Sequence, residues 1–136
     1  MEPDLNLGEA LFNQLTADII DGSDPIPVWH IQKPVDGVTR FVRYQIIDQV
    51  PRYVLDGNSG LNRARVQIEG WDISPDAVES LHGAVMASLD RFTGALGGGP
   101  TVQSCQAAVI RGPLLDPDTG LYRVMTDFLI DYEVPN

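Results

Sequence analysis

The segment from Leu121 to Val134 constrains the fold more than any other, because its side chains alternate in character along fourteen residues. One face carries apolar, aromatic and threonine residues, and the other carries mainly charged residues with Met125 and Leu129 among them. A period of two is that of a β-strand with one covered and one exposed face. The run from Arg63 to Glu69 alternates in the same way, so the sequence predicts an antiparallel sheet.

The length of this final strand leaves two interpretations open. Fourteen extended residues span roughly 46 Å at about 3.3 Å each, whereas a compact domain of this size has a radius of gyration of about 14 Å. Either the strand bends around its own core through a bulge, or part of it projects and pairs with another chain.

The remaining periodic segments predict two helices and further strands. Apolar residues at helical spacing predict a helix from Leu5 to Ile20, and a Ser-Pro start predicts a second helix from Ser74 to about Phe92. The predicted strands are Val28–Ile31, Arg40–Asp48, Asn62–Trp71, Thr101–Arg111 and the final segment. We therefore expect one α+β domain over residues 1–136, with two helices packed on one face of an antiparallel sheet of about four to five strands.

Two connections stand out between the predicted strands. Gln49 to Leu61 contains Pro51 and two glycine turns, which predicts a long hairpin loop of the kind that often carries function. Gly112 to Gly120 predicts a turn, in which Asp116 forms Asx hydrogen bonds rather than opening a calcium loop.

Composition and charge exclude several classes of protein. The net charge of −10 argues against sequence-independent wrapping of nucleic acid, which uses basic patches. No apolar run approaches a membrane span, so no membrane association is expected. Residues 40–65 carry a charge of +3 from five arginines and two acids, which leaves −13 for the rest. This separation fits either head-to-tail contact between copies or a solvated sheet face.

A search for catalytic residues predicts neither an enzyme nor a cofactor or metal site. His30 and His82 are the only histidines, and neither has the spacing of a zinc site. His82 lies off the apolar stripe of its helix and is expected at the surface, while Cys105 is expected to be buried. The acids of the last strand, including Asp127 and Asp131, fit an exposed strand face better than an acid–base pair.

Four segments in order resemble the tail-completion, or tail-terminator, proteins of long-tailed bacteriophages and related gene transfer agents. They are LGEALFNQLTADIIDG, PVWHIQKPVDGVTRFVRYQIID, RARVQIEGWDISPDAVESLHGAVMASLD and GLYRVMTDFLIDYEV. The third is the most specific, because a strand, a Ser-Pro cap and a helix follow one another as they do in the family. The chain departs from the pattern in its loop at 24–27 and its glycines at 97–99.

The resemblance implies a structural virion protein that forms a ring, usually a hexamer, at the head-proximal end of the tail tube. Such a ring stops tube growth and joins the tail to the head connector, so its partners would be copies of itself, the tail tube protein and a connector or stopper protein. It would be assembled in the host cytoplasm, and DNA would pass through it without specific binding. The alternatives are another neck ring, such as a head-completion or connector-adaptor protein, a small α+β enzyme, or a monomeric binding module.

Within such a ring, charge predicts where copies touch. The subunit-interface candidates are basic residues of one copy facing acids of the next, namely Arg43, Arg63, Arg65, Asp127 and Asp131. The hairpin loop is the candidate for axial contact with the tube or connector, through Arg52, Tyr53, Asp56 and Asn58.

Overall fold

The computed structural model describes residues 6–21, 24–31, 37–52 and 61–133. In chain order the elements are α1 (Leu7–Asp18), β1 (Ile20–Asp21), β2 (Asp24–Pro25), β3 (Val28–His30), β4 (Phe41–Arg52), β5 (Leu61–Asp72), α2 (Pro75–Leu89), β6 (Gly94–Ala95), β7 (Thr101–Leu115) and β8 (Tyr122–Glu133). The predicted α+β class is confirmed. The extra strands β1, β2 and β6 are two residues long each, which is too short for a periodic signal.

Both helices begin at side-chain caps. The Asn6 side chain accepts a hydrogen bond from the Glu9 backbone N–H at 2.8 Å and donates one to the Glu9 carboxylate at 3.0 Å. At the second helix, Ser74 Oγ accepts from the Ala77 N–H at 3.1 Å, and Pro75 opens the first turn. The second helix ends at Leu89 rather than at Phe92, because the backbone leaves the helix at Asp90.

The six-stranded sheet has the order β3-β4-β5-β8-β7-β6. The β3–β4 pair is parallel and all others are antiparallel. β8 lies at the centre and pairs with the whole of β5, from Asp72 opposite Tyr122 to Leu61 opposite Glu133. The projecting-strand interpretation is therefore wrong for residues 122–133, which have a strand on each side.

The bulges lie in the neighbours of the central pair. β4 shifts register between Ile46 and Asp48, and β7 does so at three places between Val102 and Leu114. Both strands run further than predicted, to Arg52 and Leu115, because each bulge interrupts the alternation of side chains that marks a strand. The structure therefore places residues 49–52 and Leu61 of the predicted loop in strands, and residues 53–60 lie outside the described residues.

The main core lies between the helices and one face of the sheet, here called the inner face. Leu11 and Leu15 of α1, Val85 of α2, and Val66 and Phe128 of the sheet are all buried there. A smaller apolar cluster lies on the opposite, outer face. It consists of Phe41, Trp71 and Leu121, with Trp29 and Val38 packed against it.

Membrane-spanning helices are not found in the described ranges, where neither helix is both long and apolar enough.

The turn predicted between the last two long strands is confirmed at Asp116, whose side chain accepts from the Thr119 N–H at 3.1 Å and from its hydroxyl at 2.6 Å. The turn is shorter than predicted, because β7 continues to Leu115.

Candidate functional site

The outer face of the sheet brings the predicted interface residues together. Odd-numbered residues of β5 and β8 point outward, so the register places Arg63 directly opposite Asp131. Arg63 Nε lies 2.9 Å from Asp131 Oδ1, and its Nη2 lies 3.1 Å from Oδ2, which makes a bidentate pair. The bond to Asp131 raises the pKa of the Arg63 guanidinium. Ser104 of β7 donates a further hydrogen bond to the same carboxylate at 3.1 Å.

A second pair lies one step along the same face. Arg65 reaches diagonally to Asp127, with its Nη2 2.8 Å and its Nε 3.0 Å from Asp127 Oδ2. Asp127 is only 6% exposed, although it lies on the face expected to meet solvent. The flanking long side chains, including Gln67, account for this burial, because the Gln67 amide also contacts the carboxylate at 3.4 Å.

A third cluster surrounds Trp71. Arg43 and Arg123 both bind Glu69, at 2.7 Å and 3.4 Å, and their guanidinium carbons lie 5.3 Å and 5.5 Å from the centre of the indole ring. Cation–π attraction therefore adds to the ion pairs on this part of the outer face. At the end of β5, Arg40 binds Asp72 at 2.6 Å.

These contacts correct one expectation about the interface candidates. The arginines Arg63 and Arg65 were expected to face Asp127 and Asp131 of a neighbouring copy, but they bind those acids within the same chain. The physical reason is strand order, since β5 and β8 are neighbours in one sheet. Whether this face also borders a second subunit stays a prediction.

Most of the axial-contact candidates lie outside the described residues. Tyr53, Asp56 and Asn58 lie outside the described residues, and Arg52 is the last residue of β4, with only its backbone described. The segment 53–60 joins β4 to β5, where Arg52 is paired with Leu61. Its role as a contact with the tube or connector therefore stays a prediction.

A cavity of about 320 Å³ lies between the start of α1 and the strands β3 and β4. His30 stacks on Tyr44 with ring centres 4.7 Å apart, and the Tyr44 hydroxyl donates to the Gly8 carbonyl at 2.9 Å. Burial, followed by the charge of Glu9, raises the pKa of Tyr44. Glu9 is the single carboxylate among the described residues of the lining, and these residues do not form a carboxylate pair beside His30.

His82 differs from its expected position at the surface. It is a half-buried residue of α2, and its Nε2 is hydrogen-bonded to Oγ1 of the fully buried Thr126 of β8. Burial lowers the pKa of His82. The sequence signal for this contact was Thr126, a hydroxyl on the apolar face of β8 that needs a partner.

Two other features bear on chemistry. Cys105 is buried as expected, and burial raises the pKa of its thiol to about 12. Across the described ranges, no group of three or more histidine, cysteine or acidic side chains is placed to hold a metal ion. The most organised polar arrangement is the ion-paired outer face.

Comparisons with known proteins address the function of such an arrangement. The family described as "Tail completion protein gp17" matches residues 23–133. Among solved structures, a chain of the "Virion of native gene transfer agent (GTA) particle" is similar, with a TM-score of 0.71 and 14% sequence identity over 93% of this chain and 94% of that one. At that identity the similarity shows a shared fold. No curated protein matches the chain.

Proposed function

The chain belongs to the tail completion protein gp17 family, and from that premise we propose that it forms a homohexameric ring at the head-proximal end of a tail tube. Membership makes the protein a structural virion component of the tail region rather than an enzyme. In the proposed role the ring stops growth of the tube and joins the tail to the head connector. Its partners are then further copies of the chain, the tail tube protein and a connector or stopper protein.

The family match carries this proposal, because residues 23–133 include all six strands of the main sheet and the second helix. The geometry supports a role in binding rather than in catalysis. Arg63, Arg65 and Arg43 are held in ion pairs on one sheet face, and the described lining of the cavity beside His30 contains a single carboxylate. A sheet face whose charged side chains are held in ion pairs is suited to contact with another protein, which needs no reactive group.

Charge supports passage of DNA without specific binding. The chain has a net charge of −10, and the outer-face arginines Arg63 and Arg65 are neutralised by acids of their own chain. Strong binding to the phosphate backbone requires cations that neutralise phosphates. A ring of such chains would repel the duplex weakly and would let it slide.

The intrachain ion pairs change how the subunit contact must be tested. Reversing Arg63 and Arg65 to glutamate places like charges beside Asp131 and Asp127 within the sheet, so lost assembly would follow from local damage as readily as from a lost contact. We therefore look for the subunit contact in other charged residues that have no partner within the described chain.

Negative-stain imaging of the purified protein, alone and with tail tubes, tests the proposed function. We expect rings that cap one end of the tubes, and a native mass of six times the 14.9 kDa chain. Tubes that remain uncapped beside a monomeric protein would contradict the proposal. Binding to portal complexes but not to tubes would instead identify a head-completion ring.

A further inference from the structure

We propose that the sheet continues from one copy of the chain to the next, with the open edge of β7 placed against the open edge of β4 in its neighbour. The inference rests on the proposed ring and names the surfaces that build it. The β7 edge is defined as residues 108–115 and the β4 edge as residues 45–52.

The β7 edge is open because its covering elements end early. β6 pairs only with Thr101 and Val102. Further along, the Cys105 carbonyl accepts from the Arg91 N–H at 2.7 Å, and the Ala107 N–H donates to Asp90 Oδ1 at 3.1 Å. Beyond Ala107, no strand of the described chain lies outside β7.

The β4 edge is open for the same reason on the other side of the sheet. β3 pairs with Val42, Arg43 and Tyr44, and the Ile31 N–H donates to the Tyr44 carbonyl at 3.1 Å. From Gln45 onward, β4 has β5 on one side and none of the described strands on the other. Among the described residues, the sheet therefore has one open edge at each side.

Exposed apolar side chains are concentrated on these two edges. Eight large hydrophobic residues are exposed in the described part of the chain, and five of them lie on an edge. They are Ile110 (52% exposed), Leu114 (43%) and Leu115 (57%) on β7, and Ile47 (46%) and Val50 (53%) on β4. Apolar residues on an unpaired strand edge are a site for association.

Charge indicates that the partner of these two edges is a second copy of the chain. Asp48 is exposed on the β4 edge and Arg111 on the β7 edge, and neither has an ion-pair partner among the described residues. Both point to the outer face, since Asp48 is opposite Arg65 and Arg111 is opposite Met125. Two different, complementary edges on one chain make a head-to-tail contact, which closes into a ring when the rotation allows.

Irregular backbone limits how far the edges can pair. Register shifts flank residues 109–111 of β7, and Pro113 has no N–H to donate. A shift at Ile47 and a proline at position 51 limit the β4 edge in the same way. Short, bulged segments favour one defined register over open-ended aggregation.

A charge swap tests the contact. We expect Asp48→Arg and Arg111→Asp each to reduce the hexamer population at least tenfold in native mass spectrometry, because each places like charges together at the contact. Asp48→Arg also places an arginine opposite Arg65 of the same chain, so Arg111→Asp is the cleaner of the two single variants. The double variant D48R/R111D should restore assembly. Asp118→Arg, at an exposed turn position outside the two edge segments, is the matched control and should assemble like the wild type.

Far-UV circular dichroism and thermal unfolding of each variant establish that the fold is retained. Folded single variants that assemble normally would overturn the edge contact while leaving the ring intact, and so would a folded double variant that does not recover. A wild type that stays monomeric alone and with tubes would contradict the ring itself.

Cysteine pairs provide a second measurement that does not depend on the strength of one ion pair. Under oxidising conditions the double variant D48C/R111C should give a ladder of disulfide-linked multimers on a non-reducing gel. Each single variant should give no more than a dimer, since the contact does not bring the same position of two copies together and Cys105 is buried. The absence of a ladder from assembled protein would overturn the proposed contact.

Discussion

At the scale of single residues, the two arginine–aspartate pairs of the outer face differ in burial. The Asp127 side chain is 8% exposed, against 16% for Asp131. A charge removed from water depends on its partner far more than an exposed one does. The pairs could not be predicted from the sequence, because their members are more than 60 residues apart and meet only through strand order.

Replacing Arg65 by methionine tests this dependence. The variant keeps most of the aliphatic stem but leaves the buried Asp127 carboxylate without its cation, so we expect a loss of about 1–2 kcal/mol in the free energy of unfolding. Urea unfolding of dilute protein measures it. The control Arg91→Met, at an exposed arginine outside both edges, should stay within about 0.5 kcal/mol of the wild type; equal losses in both variants would contradict the argument.

His82 gives the fold a pH dependence with a definite sign. Burial lowers its pKa in the folded state, so the unfolded chain takes up the proton first as the pH falls below about 6.5. The stability that neutral His82 contributes is therefore present above that pH and is lost below it. We expect His82→Gln to show a smaller fall in unfolding free energy between pH 7.5 and pH 5.5 than the wild type, and equal falls would rule out this source.

At the scale of elements, periodicity identified the core of each long strand and both helices but not the ends. Ile47 and Pro113 are examples, because each falls where a bulge breaks the alternation and the strand nevertheless continues. The strand order could not be predicted from the sequence either. β8 lies between β5 and β7 because of long-range contacts, which no local pattern of residues encodes. The helix caps were predictable because Ser74 and Asn6 act on residues three positions away.

Within the glycine segment 97–99, Gly97 contacts the helix α1 directly. The Gly97 N–H donates to Gln14 at 3.1 Å, and its carbonyl accepts from Asn13 at 3.2 Å. A Cβ at position 97 would lie 2.1 Å from the Ala10 carbonyl oxygen. This turn therefore positions α1 against the sheet.

Replacing each of two neighbouring glycines by alanine separates the effect of this contact from the effect of backbone strain. Gly97 and Gly98 both have positive φ, but a Cβ at Gly98 meets nothing within 4 Å. We expect Gly98→Ala to cost about 1–2 kcal/mol from strain alone, and Gly97→Ala to cost clearly more because α1 must move. Thermal unfolding measures both, and similar losses would show that the contact with α1 contributes little.

At the scale of the whole molecule, the fold class and the tail completion family were predictable because long alternating strands and a capped helix occur in a characteristic order. The partners of Arg63 and Arg65 were not, since these arginines bind acids of their own chain; whether they also border a second copy stays a prediction. The role of segment 53–60 as an axial contact stays a prediction. The segment joins β4 to β5, whose pairing extends to Arg52 and Leu61.

Deleting residues 53–58 tests that role. The deletion leaves Ser59 and Gly60 between the paired residues Arg52 and Leu61, which is the length of a tight hairpin turn. We expect normal unfolding behaviour and ring formation but a loss of tail joining, counted as tailed particles by electron microscopy. A Gly-Ser segment of the original length should fail in the same way, and normal joining by either variant would exclude the segment as the contact.

The central position of β8 has a consequence for synthesis. β8 is the single strand that joins β5 to β7. The sheet therefore cannot be completed until the ribosome has released residues 122–133. Chains that stop early would lack the middle of the fold rather than its border. We expect prematurely terminated products to be excluded from the proposed ring, because without β8 they do not hold the β4 edge and the β7 edge on one sheet.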